Sequence, residues 1–114
     1  MTEIYHNVRC SKSRQTLALL QEKGITPTII DYLNNPPNAE SLHQIIKQLN
    51  ITPRELLRKS EVIYKELGLK NTALDDNALI KAMTEHPKLI ERPIVIHNGQ
   101  AKLGRPPEAV LALF

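Results

Sequence analysis

Residues 2–32 read TEIYHNVRCSKSRQTLALLQEKGITPTIIDY. The stretch opens with strand formers over Thr2 to His6 and breaks across Asn7 to Cys10. Ser11 to Lys23 reads as a helix, with Thr16, Leu17, Leu19 and Leu20 as its apolar material and Gly24 as its stop. Thr28 to Tyr32 reads as a second strand. Strand, helix and strand within about 30 residues make a βαβ unit, which pairs its strands in parallel through a right-handed crossover.

Outward from that unit, Asn34-Asn35-Pro36-Pro37 is a breaker, and Asn38 is placed to cap a helix with Ala39, Leu42, Ile45, Ile46 and Leu49 on one face. Thr52-Pro53-Arg54-Glu55 is a capping box with proline in the first turn. Ser60 is positioned to cap a further helix ending near Gly68. Asp75-Asp76 opens another, with Leu79, Ala82 and Met83 inward and Pro87 past its end. The character then changes. Pro93 to His97 is β-branched, Asn98-Gly99 is a type I′ turn signal, and Gln100 to Leu103 pairs back. Gly104-Arg105-Pro106-Pro107 opens a last helix through Leu113. The order predicts an α/β fold with a four-stranded mixed sheet, β-α-β then β-β-α. It is expected as a single domain over residues 1–114 with a helical insertion over about 38–87.

Composition narrows the function. With 114 residues, 41% of them hydrophobic and 24% charged, the chain suits one soluble domain with a real core. No apolar run nears the roughly 20 residues of a membrane helix, and MTEIYHNVRC lacks the pattern of a secretory signal, so a cytoplasmic protein is expected. The net charge of +3 includes no basic run longer than Arg58-Lys59. The three Tyr and one Phe are not interleaved with Arg or Lys, so a small anion suits the surplus better than nucleic acid. A single cysteine excludes an internal disulfide, and four scattered histidines, at 6, 43, 86 and 97, give no metal site.

Cys10 follows the first strand and begins the first helix, where unpaired backbone N–H groups and the helix dipole favour a thiolate. Arg9, Lys12, Arg14 and His6 lie close along the chain. Loops at the carboxyl ends of parallel strands are also where α/β proteins place their sites. Cys10-Ser11-Lys12-Ser13 has the spacing of a C-x-x-C redox motif with serine in the second place, so any disulfide step needs an outside thiol. Arg92-Pro93 precedes the third strand, Arg105-Pro106 follows the fourth, and Arg58 ends the short capped helix. Arginine suits a tetrahedral oxyanion because its planar fork donates two hydrogen bonds and never loses its charge. For Arg58 alone, a solvated or helix-capping residue is the simpler reading.

Four blocks in order, Tyr5-His6-Asn7-x-x-Cys10-Ser11-x-Ser13-Arg14-x-Thr16-Leu17, Arg54-x-Leu56-Leu57-Arg58-Lys59, Arg92-Pro93-Ile94-Val95 and Gly104-Arg105-Pro106-Pro107-Glu108, resemble the glutaredoxin-dependent arsenate reductase family over essentially the whole chain. The resemblance implies a thioredoxin-like fold, with a cis peptide bond at Arg92-Pro93. It implies Cys10 as the nucleophile toward arsenate, Arg58, Arg92 and Arg105 as oxyanion ligands, and His6 and Ser13 in support. No cofactor would be bound; glutathione would be co-substrate and glutaredoxin the reductant of the mixed disulfide. Plasmid-type members carry Gly-Thr-Ser-Arg after the cysteine and a longer tail, so Ser11-Lys12-Ser13-Arg14 suggests a chromosomal-type relative. Two other readings share these features. One is an Spx-type regulator binding RNA polymerase, against which Ser13 and Arg105 argue, because such regulators have C-x-x-C and lack that arginine. The other is a glutathione-dependent thiol-disulfide oxidoreductase, in which three arginines would have no evident task.

Overall fold

The computed structural model describes residues 1–114. The chain forms two compact units, Met1–Asn35 with Arg92–Phe114, and Pro36–Glu91.

The first unit holds strands β1 (Thr2–Tyr5), β2 (Thr28–Ile30), β3 (Ile94–His97) and β4 (Gln100–Leu103), with helix α1 (Ser11–Glu22) and a 3-10 helix over Pro107–Leu113. The sheet order is β2-β1-β3-β4. β1 runs parallel to β2 and antiparallel to β3, and β3 runs antiparallel to β4. The expected βαβ unit and mixed sheet are therefore present. β2 stops at Ile30, short of the expected Tyr32, because the chain turns there. Asn35 N–H donates to the Asp31 carbonyl at 2.9 Å and Asn34 Nδ2 to Asp31 Oδ2 at 2.6 Å, while Tyr32 turns fully inward. Asn98 and Gly99 both have positive φ, 49° and 81°, as a type I′ turn requires, so β3 and β4 form a tight hairpin.

Ile4 and its cross-strand partner Val95 share one face of the sheet and pack with Leu20 and Val110. Leu17, Ile25 and Leu113 border this core. It seats α1 and the last helix against the sheet, and so fixes the N-terminus of α1 at the carboxyl end of β1. That last helix is 3-10 rather than α: Ala109 N–H bonds the Pro106 carbonyl, an i to i+3 contact, at its prolyl entrance.

The second unit contains α2 (Ala39–Leu49), α3 (Pro53–Leu56), α4 (Val62–Glu66), α5 (Asp76–Glu85) and a 3-10 turn over Pro87–Leu89. α2 starts on Asn38, whose Oδ1 accepts the Ser41 N–H at 2.8 Å, and stops at Asn50 with φ 57°. It buries Leu42, Ile45, Ile46 and Leu49 and packs against α5, which buries Leu79, Ile80, Ala82 and Met83. The capping box at Thr52 and Glu55 is formed in both directions. Ser60 is not a cap: α4 begins one residue later than expected, with Glu61 at the N-cap position and no side-chain cap bond. One feature was not expected from sequence. Residues 56–58 and 89–91 pair as an antiparallel ribbon, with Leu57 opposite Ile90, Arg58 N–H on the Leu89 carbonyl at 2.7 Å, and Glu91 N–H on the Leu56 carbonyl at 2.9 Å. No helix in the chain is long and apolar enough to cross a membrane.

Candidate active site

The loop from His6 to Cys10 is built by its own short-range bonds. His6 N–H donates to the Ile30 carbonyl at 3.0 Å and extends the parallel ladder past Tyr5. Asn7 then turns the chain. Its carbonyl accepts the Cys10 N–H, and its Oδ1 accepts the Arg9 N–H, both at 3.0 Å. Cys10 is the N-cap of α1, and its carbonyl accepts the Arg14 N–H in the first helical bond. The side chain is buried, with 8% of its surface exposed.

Burial pushes the Cys10 thiol up, yet its pKa lies below the ordinary value. Against burial act the Ser13 backbone N–H, the Arg92 guanidinium as donor and as charge, and the Lys12 backbone N–H. No first-turn N–H reaches the sulfur as a full capping bond. The amides therefore act as an oriented field of donors at the helix end. The helix-terminus expectation is borne out, and the expected cations are corrected. The lowering contributions come from the Ser13 and Lys12 amides and from Arg92, rather than from the charges of Arg9, Lys12 and Arg14. Arg14 instead donates Nη1 to the Val8 carbonyl at 2.8 Å and so pins the loop. The cation beside the sulfur is Arg92, remote in sequence.

Arg105 comes to the same place. Its Nη2 lies 3.8 Å from Cys10 Sγ, and its Nε donates to the Arg92 carbonyl at 2.8 Å. Both Arg92-Pro93 and Arg105-Pro106 are cis; the second was not expected. Arg92 Nε is buried with no hydrogen-bond acceptor. Between the two arginines, Gly104 N–H bonds the Pro93 carbonyl at 2.9 Å. A Cβ on Gly104 would collide with Thr16 Oγ1 and stand 2.6 Å from Pro93 Cγ. Only glycine lets this strand end approach α1 and Pro93 so closely. Sequence reasoning quoted Gly104 and Thr16 in the family blocks but gave neither a role at the site; a glycine directly before Arg105-Pro106 was the available signal.

His6 and Ser13 are both buried, and they meet each other rather than the sulfur. His6 Nδ1 lies 2.6 Å from Ser13 Oγ, which also accepts the Asn7 N–H at 3.0 Å. Burial and then the Arg14 charge lower the His6 pKa, with Asp31 opposing them. A largely neutral ring near pH 7 therefore steadies Ser13, whose own amide faces the thiolate. Arg58 belongs to the second unit. It is neither a solvated side chain nor a helix cap: 16% of its side chain is exposed, and it lies against Glu61 and Glu91.

This arrangement can hold a thiolate and present guanidinium donors to an anion beside it. Comparisons with known proteins agree in length and register. A model of the ArsC family matches residues 5–113. The chain is 52% identical to the "uncharacterized protein YfgD" of Escherichia coli (strain K12), covering 97% of this chain and 94% of that one. It is 50% identical to an arsenate reductase of Haemophilus influenzae, over 97% of each. Among solved structures, an arsenate reductase from Vibrio cholerae superimposes with a TM-score of 0.97 at 54% identity, covering 99% of this chain and 97% of that one.

Proposed function

The chain belongs to the ArsC family, and from that premise we propose that it is an arsenate reductase working through Cys10. Its fold is α/β and thioredoxin-like. The observation that carries the reading is the sulfur itself. A thiol held below its ordinary pKa by the Ser13 backbone N–H and Arg92, with Arg105 3.8 Å away and a buried Arg92 N–H still unsatisfied, suits a nucleophile waiting for an oxyanion. Arg58 enters as a third oxyanion ligand through the resemblance alone.

The chemistry balances with external thiols. The Cys10 thiolate attacks As(V); an S–As bond forms, an As–O bond breaks, and the oxygen leaves as water after protonation. A glutathione thiolate then attacks the Cys10 sulfur. The S–As electron pair stays on arsenic, which departs as arsenite, reduced by two electrons, while the two thiols become a mixed disulfide. Glutaredoxin reduces that disulfide and restores Cys10. Arg92 and Arg105 neutralise the anion during attack, donors fixed before charge shifts onto the departing oxygen. Glutathione is thus co-substrate and glutaredoxin partner, with no bound cofactor, in the reducing setting of a cytoplasm.

The test is NADPH oxidation coupled through glutathione reductase, with arsenate, glutathione and glutaredoxin present. The wild type is expected to show an arsenate-dependent rate and Cys10→Ser none. No arsenate-dependent rate in the wild type contradicts the reading.

A further inference from the structure

Thr16 is fully buried on α1, and its hydroxyl donates to the Lys12 carbonyl at 2.8 Å. The helical ladder brings the Thr16 N–H to the same carbonyl, so that oxygen accepts twice. It belongs to the peptide group whose N–H is that of Ser13, and the two ends of a trans peptide point in opposite directions. With Cys10 as the N-cap, Ser13 is the third helical residue, whose amide faces the N-cap side chain. A continuous line thus runs from the Thr16 hydroxyl through one peptide group toward the sulfur.

Hydrogen bonds in series polarise one another. Two donors on the Lys12 carbonyl draw charge toward its oxygen and leave the Ser13 N–H a better donor. A buried threonine often bonds the i−4 carbonyl merely to satisfy its own hydroxyl. Here the carbonyl taken lies behind the amide that does most to favour the Cys10 thiolate. The segment after β4 also closes over the same hydroxyl, so tightly that a Cβ on Gly104 would collide with Thr16 Oγ1. The charged groups that face the sulfur are Arg92 and Arg105, from the segments before β3 and after β4. His6 meets the Ser13 side chain rather than its amide.

We infer that Thr16 is a positioning residue for Cys10: its hydroxyl fixes and polarises the peptide group that presents the Ser13 N–H to the sulfur. The inference rests on the reading of Cys10 as the nucleophile and adds a residue, further along α1, that prepares it.

The test is the pH midpoint of iodoacetamide alkylation, which reports Cys10 alone because the chain has no other cysteine. It is measured for the wild type, Thr16→Val, Thr16→Ala and Thr16→Ser, with thermal melts to verify folding. Thr16→Val and Thr16→Ala should both raise the midpoint by about 0.2–0.4 pH unit, the size expected when a charge-assisted bond loses about 10–30% of its strength. Thr16→Ser keeps the hydroxyl and should keep the wild-type midpoint, even though it loses the methyl group. Wild-type midpoints in both the valine and alanine variants overturn the inference. A serine variant shifted as far as alanine also overturns it, since the hydroxyl would not be the cause. So does a rise in the valine variant alone, which would mean that added bulk against Gly104 had moved Arg105. A wild-type midpoint at or above the ordinary value of about 8.5 sinks the reading of Cys10 as a prepared nucleophile, and the inference with it.

Discussion

Arg105 Nε donates to the carbonyl oxygen of Arg92 at 2.8 Å, and its Nη2 lies 3.8 Å from Cys10 Sγ. One planar fork thus ties the backbone before Pro93 to the sulfur. A lysine has a single point of charge and cannot hold both positions. Arg105→Lys is expected to lower kcat/KM for arsenate by about tenfold or more, while the melting temperature changes little because the side chain is exposed. Steady-state kinetics beside a thermal melt check this; wild-type kinetics would remove Arg105 from the site.

Arg92 is the cation that lowers the Cys10 pKa, so Arg92→Gln should move the midpoint of Cys10 alkylation upward in pH, whereas Arg9→Gln should not. The same shift affects stability. A thiol whose folded pKa is depressed adds stability that is full above its unfolded pKa, about 8.5, and is lost as pH falls through the folded value. Urea unfolding of the wild type against Cys10→Ser should therefore show a difference that grows from mildly acidic to alkaline pH. A difference that is constant with pH would mean that the thiolate is not favoured by the fold.

Ser13→Ala leaves the Asn7 N–H and the buried His6 ring nitrogen without their shared partner. The expected cost is about 1–3 kcal/mol of stability. The Cys10 alkylation midpoint should also rise, because the amide of residue 13 is no longer held in place. Chemical denaturation and the alkylation profile measure the two effects separately.

Gly104→Ala forces a methyl group against Thr16 and Pro93. Overpacking of this kind costs about 1–3 kcal/mol, and here it displaces the segments carrying Arg92 and Arg105. Reduced stability with a reduced arsenate rate is expected. Full activity and an unchanged melt would show that the approach of Gly104 to α1 is not required.

Local signals carried most of the fold. Asn38, Thr52 with Glu55, and Asp75 each cap the helix their types suggested, and Asn98-Gly99 makes the hairpin turn. These features depend on residues three or four apart, which a sequence displays directly. Ser60 failed because the chain enters α4 one residue later, which puts Glu61 at the N-cap instead. The site divides in the same way. The position of Cys10 at a helix start was legible. The helix-end amides that lower its pKa were legible too, but the cation was not, since Arg92 reaches the sulfur only through the pairing of β1 with β3. Proximity along the chain suggested Arg9 and Arg14, and one of them serves a carbonyl instead. The ribbon joining residues 56–58 to 89–91 had no signal at all, because its pairing is short and nonlocal.

The most direct measurement of Cys10 as the arsenate nucleophile is intact-mass spectrometry of the protein mixed with glutathione, with and without arsenate, sampled over time. Arsenate should accelerate formation of the glutathione adduct on Cys10, glutaredoxin should remove it, and Cys10→Ser should remain unmodified throughout. An adduct that forms at the same rate with and without arsenate would contradict arsenate reduction at Cys10.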